Sequence, residues 1–205
     1  LLEEIIEQKR LTANAVIGIF PAESMDDDIL VYEDESRKKV LQRFPMLRQQ
    51  MKKQQGRPNM SLADFIAPAD GPQDYIGAFA VTTGIGLDKI VEHYEADNDD
   101  YRAILAKALA DRLAEALAEY MHERVRRQYW AYNPNEDFSN EELIAEAYSG
   151  IRPAPGYPAC PDHTEKATIF KLLDANGIGI SLTESFAMLP TAAVSGLYFA
   201  NKNSK

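Results

Sequence analysis

The sequence predicts an α+β fold in which helices cluster beside a twisted antiparallel sheet. Strand-like segments neighbour one another near both ends of the chain, and helix-like segments lie between them, whereas a parallel sheet would need the two to alternate. The chain also has 205 residues, of which 45% are hydrophobic, so it can bury a substantial core. We therefore expect residues 1–205 to form a single domain.

Strand patterns dominate the first part of the chain. Residues 15–20 are apolar and rich in β-branched side chains, which predicts a buried strand closed by Pro21. Residues 29–32 and 39–44 flank the polar segment 33–37, whose composition is typical of a turn. These two segments therefore predict a β-hairpin.

The middle of the chain is mainly helical in pattern. Pro45 suits the first turn of a helix, which we expect to reach about residue 55 and to end at Gly56. Residues 75–81 predict a strand, and residues 87–95 predict a helix. A long helix is expected from about residue 99 to 130 because apolar residues recur there at helical spacing. These residues include Leu105, Leu109, Leu113, Leu117, Tyr120 and Met121.

The C-terminal third alternates short helices and strands. A capping box at residues 139–142 predicts a helix that ends near Gly150. Residues 164–175 predict another helix, stopped by Asn176 and Gly177. Strands are expected at residues 185–188 and 193–199, which would complete the sheet.

Charge and cysteine content exclude several classes of function. The chain carries 32 acidic and 22 basic residues, and a net charge of -10 argues against nucleic acid as a partner. No apolar run is long enough to cross a membrane, and the start lacks a signal-peptide pattern. Cys160 is the single cysteine, so no internal disulfide can form. We expect a cytoplasmic protein without membrane or nucleic-acid partners.

A proline-rich strip at residues 152–158 has the most unusual local chemistry. Its three prolines hold the backbone extended, so peptide groups can stay available to a ligand. Gly156 permits close approach of a ligand to the backbone, Tyr157 offers an aromatic face, and Arg152 offers donors for a carboxylate. Such a strip suits a zwitterionic nucleoside. It also fits a stiff surface loop, and the residues alone leave both interpretations open.

Several stretches together resemble one family. Residues 150–161, followed by 163–166, resemble the Arg-x-x-x-Gly-Tyr signature of the activation domain of vitamin B12-dependent methionine synthase. The resemblance extends over nearly the whole chain, with further motifs in matching order. These motifs lie at residues 61–68, 108–124, 132–136 and 182–188.

This resemblance implies a function, a ligand and a set of partners. The domain would bind S-adenosylmethionine, whose methyl group serves to reactivate an inactive cobalamin. Cobalamin would be bound by the neighbouring domain of the same polypeptide, and zinc would belong to the parent enzyme only. An electron donor such as flavodoxin would reduce the cobalt. The parent enzyme would be a methyltransferase of methionine biosynthesis, whereas the fragment alone would not be catalytic.

The resemblance also implies the binding residues. The carried-over ligand contacts are Arg152, Ala154, Gly156 and Tyr157, together with glutamates near the ligand at Glu115 and Glu146, and no catalytic or metal-binding residue is expected. Two further contacts of the family would lie beyond the ends of the chain, so the expected domain is truncated at both ends. A non-catalytic docking module for the cobalamin domain or the electron donor is the alternative.

Two other motifs indicate rival sites. Gly84-Ile85-Gly86 follows the strand at residues 75–81, as in a dinucleotide-binding loop, but Lys89 stands where that motif needs a third glycine. Cys160 and His163 have the spacing of half a zinc site, and half a site is insufficient for a metal. We expect neither motif to bind a ligand.

Overall fold

The structure is a computed structural model that describes residues 1–202 and 204, and it confirms the predicted α+β fold. Its main sheet has five strands in the order β3-β2-β1-β4-β7, and all neighbouring strands are antiparallel. A separate two-stranded ribbon joins β5 and β6. The strands are β1 (Thr12–Met25), β2 (Asp28–Tyr32), β3 (Val40–Pro45), β4 (Asp74–Ile85), β5 (Ser181–Leu182), β6 (Met188–Leu189) and β7 (Ala193–Tyr198); the helices are α1 (Leu2–Glu7), α2 (Leu87–Ala96), α3 (Asp100–Arg124), α4 (Asn140–Ile144) and α5 (Glu165–Leu173).

Strand β4 is buried on both faces, because helices cover the sheet on both sides. Ile76 and Ala78 belong to the core that contains α5, whereas Phe79 and Val81 pack in the core that contains the end of α3. Successive side chains of a strand point to opposite faces. The unbroken apolar run of residues 76–81 therefore marks a central strand between two layers of helix.

Helix α3 lies against the sheet through small side chains. The predicted long helix is confirmed, but its buried stripe consists of alanines and one histidine, and the leucines of the predicted apolar face are only partly buried. Small residues allow the helix backbone to approach close to β4, where Thr83 donates to the Ala110 carbonyl at 2.7 Å. The buried stripe comprises Ala103, Ala106, Ala110, Ala114, Ala118 and His122.

The helix predicted from Pro45 to residue 55 is wrong. Pro45 instead ends β3, an edge strand of the sheet, where a residue without an N–H is tolerated. Contacts with distant residues determine the conformation of the next residues. The Met46 N–H donates to the Asp27 carbonyl at 2.8 Å, and the Arg48 guanidinium forms ion pairs with Asp27 and Asp64. These contacts hold the chain extended against the hairpin.

Three further boundaries differ from the expectation. The capping box of Ser139 is present, but α4 ends at Ile144 and not near Gly150. The predicted strand at residues 185–188 is wrong except for Met188, because residues 183–187 form a turn closed by an N–H to carbonyl bond of 2.9 Å. Strand β1 continues past Pro21 to Met25, where it pairs with β2.

The long helix changes its geometry at its C-terminal end. Residues Val125–Tyr129 form a π-helical turn directly after α3. Such turns alter the direction in which side chains point and are frequent near functional sites. Here the turn buries the Arg126 guanidinium completely, and Glu136 accepts from it at 2.9 Å.

Among residues 1–202 and 204, no helix combines the length and apolar character that a bilayer span requires.

Glu165 is a buried carboxyl in the first turn of α5. The residue is 3% exposed, and its Oε2 atom has no hydrogen-bond partner among the described residues. Burial, together with the nearby charges of Asp162 and Asp28, raises the pKa of Glu165 from the ordinary 4.5 to about 7. The folded protein therefore favours the protonated carboxyl.

We expect Glu165→Gln to stabilise the protein above pH 7 and to leave it nearly unchanged below pH 4.5. Because the folded pKa is raised, the stabilising contribution is complete below pH 4.5 and is lost as the pH rises through 7. The gain in the free energy of unfolding should be about 1–3 kcal/mol at slightly alkaline pH. Urea unfolding across this pH range measures it, with exposed Glu184→Gln as the control. A pH profile identical to that of the unsubstituted protein would contradict the prediction.

Candidate functional site

The proline-rich strip begins as an extension of the sheet. Ile151 exchanges two backbone hydrogen bonds of 3.0 Å with Phe199, and the Pro153 carbonyl accepts from the Leu197 N–H at 3.0 Å. The strip therefore lies along the free edge of β7. Pro153 accepts from Leu197 but has no N–H to complete this pair, and such a missing donor is tolerated at the edge of a sheet, where the pairing ends.

The strip leaves the sheet after Pro153 and turns sharply. Gly156 has a φ of +101°, and its N–H donates to the Cys160 carbonyl at 2.7 Å. The Tyr157 N–H contacts the Ala154 carbonyl at 3.4 Å. The expectation that the peptide groups remain free is therefore only partly correct: the Gly156 N–H is engaged within the turn, whereas the Ala154 N–H has no partner among the described residues.

A cavity of about 340 Å³, which we call the strip cavity, lies beside this turn. Four of the residues predicted to bind a ligand line it: Ala154, Gly156, Tyr157 and Glu115. Strand β7 contributes Ser195, which is 2% exposed and whose Oγ atom has no hydrogen-bond partner among the described residues. A buried hydroxyl without a partner is costly, so a polar ligand would stabilise this position.

The other two predicted residues lie in a neighbouring cavity. Arg152 and Glu146 line a space of about 560 Å³ between α3 and α4, which we call the α4 cavity. The predicted set is therefore divided between two cavities. Both border α3, since Glu115 lines the strip cavity and Glu119 lines the α4 cavity one helical turn further on.

Arg152 is held by Glu119. Its guanidinium donates to the Glu119 carboxylate at 2.6 Å, and the side chains of the two residues are 23% and 24% exposed. Burial alone would lower the pKa of Arg152, but the contacts with Glu119 and Tyr148 outweigh burial and raise it. The guanidinium is therefore fixed and charged, and its Nε atom is buried without a partner among the described residues.

A buried polar cluster supports this arrangement. The Arg126 guanidinium lies 3.9 Å from the centre of the Tyr148 ring, and the Tyr148 hydroxyl contacts Glu119 at 3.4 Å. His122 packs on the same ring; burial, together with the charges of Arg126 and Arg152, lowers the pKa of His122 to about 2. His122 is therefore neutral, so it adds no positive charge beside the two arginines.

The comparison with protein families identifies the chain. The family model for the vitamin B12 dependent methionine synthase activation domain matches residues 1–205. This chain belongs to that activation-domain family. A crystal structure described as the MetH reactivation domain bound to AdoHcy is 57% identical in sequence and has a TM-score of 0.96. The match covers 100% of this chain and 63% of that one, so this chain spans less than two thirds of its length.

The surroundings of the two rival motifs differ from those that a dinucleotide or a zinc ion requires. Gly84 and Gly86 are packed against protein, since an added Cβ atom would lie 2.5 Å from Pro190 and from the Arg10 carbonyl oxygen respectively. The sheet neighbours of β4 are antiparallel, whereas a dinucleotide site needs parallel strands. Cys160 is buried, and within residues 1–202 and 204 no three His, Cys, Asp or Glu side chains are grouped to hold a metal ion.

Sequence reasoning missed several residues of the two cavities. Ser195, His163 and Lys166 line the strip cavity, and Glu119 holds Arg152 in the α4 cavity. Residues 163–166 contributed to the family resemblance, and His163 was also weighed with Cys160 as half a zinc site, but neither His163 nor Lys166 was predicted to contact the ligand. The Glu119 contact depends on the packing of α3 against the strip, so no local pattern indicates it.

We expect Gly156→Ala to destabilise the protein by about 1–3 kcal/mol, through backbone strain and a steric clash. The backbone has a φ of +101°, and an added Cβ would lie 2.3 Å from Cε1 of His163. Gly56→Ala is the matched control, because Gly56 has a φ of +86° and nothing lies within 4 Å of its added Cβ. Urea unfolding measures both variants, and an equal loss in the free energy of unfolding for Gly156→Ala and Gly56→Ala would show that the clash with His163 contributes nothing.

Proposed function

We propose that this chain binds S-adenosylmethionine across the strip cavity and the α4 cavity, and that it serves as the reactivation module of a cobalamin-dependent methionine synthase. The observation that carries the proposal is the position of the two cavities along α3, one beside the strip turn and one beside Arg152. The relative at 57% identity contains bound AdoHcy, which differs from S-adenosylmethionine by a methyl group.

The lining residues fit the chemistry of this ligand. The strip cavity offers the Ala154 N–H, the Ser195 hydroxyl without a partner and the exposed ring of Tyr157 to a nucleoside. Its volume of about 340 Å³ lies in the usual range of small-molecule sites, and the neighbouring α4 cavity adds room for an elongated ligand.

Charged groups would orient the amino-acid end. Arg152 is positioned to bind a carboxylate, and Glu146 in the same cavity is suited to an ammonium group. Glu115 lies in the strip cavity, where its carboxylate would favour the positive sulfonium between the two ends. The strip cavity, Glu115 and the pair of Arg152 and Glu146 would therefore receive the nucleoside, the sulfonium and the amino-acid group of the ligand, in that order.

The chemistry itself would come from the bound molecules. S-adenosylmethionine supplies a methyl group that reduced cobalamin, held by a neighbouring domain of the same polypeptide, can accept. In this proposal the chain's residues bind and orient the ligand, and no side chain needs to act as acid or base. An electron donor such as flavodoxin would provide the reduction, and the parent protein would be a methyltransferase.

A thermal-shift experiment tests the binding step. S-adenosylmethionine and S-adenosylhomocysteine should each raise the Tm of the chain in a concentration-dependent manner, since a ligand that binds only the folded state stabilises it by about 2.7 kcal/mol at a hundredfold excess over Kd. ATP serves as the control nucleotide. A Tm that does not change at millimolar concentrations of either ligand would contradict binding and would favour the docking-module alternative.

A further inference from the structure

His163 packs directly on the turn of the strip. A Cβ atom added at Gly156 would lie 2.3 Å from Cε1 of His163 and 3.0 Å from Nε2. The imidazole ring therefore touches the α-carbon of Gly156, and it lines the strip cavity together with Lys166. Its position is set by the same turn that forms the proposed nucleoside site.

Lys166 determines which ring nitrogen of His163 carries the proton. Its Nζ atom lies 3.1 Å from Nδ1 of His163 and also donates to the Phe186 carbonyl at 3.2 Å. An ammonium group has only donors, so Nδ1 must accept. In a neutral imidazole the proton then resides on Nε2.

The Nε2–H group is available to a ligand. No described residue accepts a hydrogen bond from it, whereas Nδ1 is engaged by Lys166. A nucleoside presents ring nitrogens and ribose oxygens as acceptors. The positive charge of Lys166 would repel a sulfonium, so the neutral nucleoside end of the ligand suits this part of the cavity better.

We propose that His163 is a specificity-determining residue that donates an Nε2–H hydrogen bond to the nucleoside end of the ligand, and that Lys166 is a positioning residue that fixes the imidazole tautomer. This inference rests on the proposed binding of S-adenosylmethionine and deepens it. His163 would add a side-chain contact to the nucleoside end of the site, which is otherwise formed by backbone groups, Ser195 and Tyr157.

Calorimetry with S-adenosylhomocysteine tests the role of His163. His163→Phe keeps a ring against Gly156 but removes the donor, and affinity should fall roughly five- to tenfold, as expected for one lost hydrogen bond. His93→Phe, which changes a histidine of α2 outside both cavities, should leave the affinity unchanged. Equal affinity of His163→Phe and the unsubstituted chain would overturn the inference.

Nitrogen-15 NMR of the imidazole gives a readout that a purely structural role would not change. The ligand-free chain should show the Nε2–H tautomer of His163, Lys166→Met should give a mixture of tautomers, and S-adenosylhomocysteine should shift the Nε2 resonance. An Nδ1–H tautomer, or an Nε2 resonance that the ligand does not shift, would overturn the inference while leaving the proposed function intact. If the unsubstituted chain binds no S-adenosylhomocysteine, both proposals fail.

Discussion

Replacement of Arg152 by alanine should weaken the binding of S-adenosylmethionine roughly 10- to 100-fold, because hydrogen bonds to charged groups contribute about 1.5–3 kcal/mol. The guanidinium is fixed by Glu119 at 2.6 Å and lines the α4 cavity, so little conformational entropy would be lost when it binds the ligand carboxylate. Calorimetry at constant ionic strength measures the loss. Arg152→Lys should restore only part of the affinity, since an ammonium lacks the planar fork of donors.

The control for this substitution is Arg57→Ala. Arg57 is exposed and lines neither cavity, so its loss removes the same charge without removing a residue of the site. Arg152→Ala should lower the free energy of unfolding by only about 1 kcal/mol, because Glu119 keeps its contact with Tyr148. Unchanged affinity in Arg152→Ala would contradict the role of the guanidinium.

Replacement of Glu136 by alanine should produce the largest loss of stability, about 3–5 kcal/mol, because it leaves the buried Arg126 guanidinium with only the 3.9 Å ion pair to Glu119. The Arg126 side chain is 0% exposed and that of Glu136 is 2% exposed, and both carboxylate oxygens accept from the guanidinium Nε at 2.9 Å. Guanidinium chloride unfolding, with a check that the slope is unchanged, measures the effect.

Two further variants separate this effect from a general loss of charge. Glu123→Ala removes the partner of Arg127 in a more exposed pair and should cost less than about 1 kcal/mol. A double variant with Arg126→Met and Glu136→Leu should recover much of the stability, because no unpaired charge remains. A loss of under about 1 kcal/mol in Glu136→Ala would contradict the prediction that Glu136 is the main partner of the buried Arg126 charge.

The sequence predicted those parts of the fold that depend on local periodicity. The continuous apolar run of β4, the helical spacing of α3 and the capping box at Ser139 each indicate an element that the structure contains. These patterns predict the elements because the direction of the side chains repeats every two residues in a strand and every 3.6 residues in a helix. They report which face is buried without reference to distant parts of the chain.

The errors occur where distant contacts decide the local conformation. Residues 45–55 have a helix-like start at Pro45, but Arg48 is held extended by Asp27 and Asp64, which come from other parts of the fold. The alanine stripe of α3 was missed for a related reason, because the larger leucines dominate the hydrophobic pattern while the close approach to β4 selects small side chains.

The site was predicted as one strip and is arranged as two cavities. Arg152 and Gly156 are four residues apart in the sequence, yet the former faces Glu119 of α3 and the latter packs on His163. Family resemblance supplied the residue types, but their division follows from the sharp turn after Pro153 and from the position of α3. Neither feature is encoded in the spacing of the motif.

Amide chemical-shift mapping with S-adenosylhomocysteine tests whether the ligand binds across the strip cavity and the α4 cavity. Saturable shifts are expected at Ala154, Gly156 and Tyr157, with accompanying changes at the Arg152 side chain and along α3 from Glu115 to Glu119. Shifts confined to the turn at Gly84 and Gly86, or no shifts at millimolar ligand in a folded chain, would contradict binding across the two cavities.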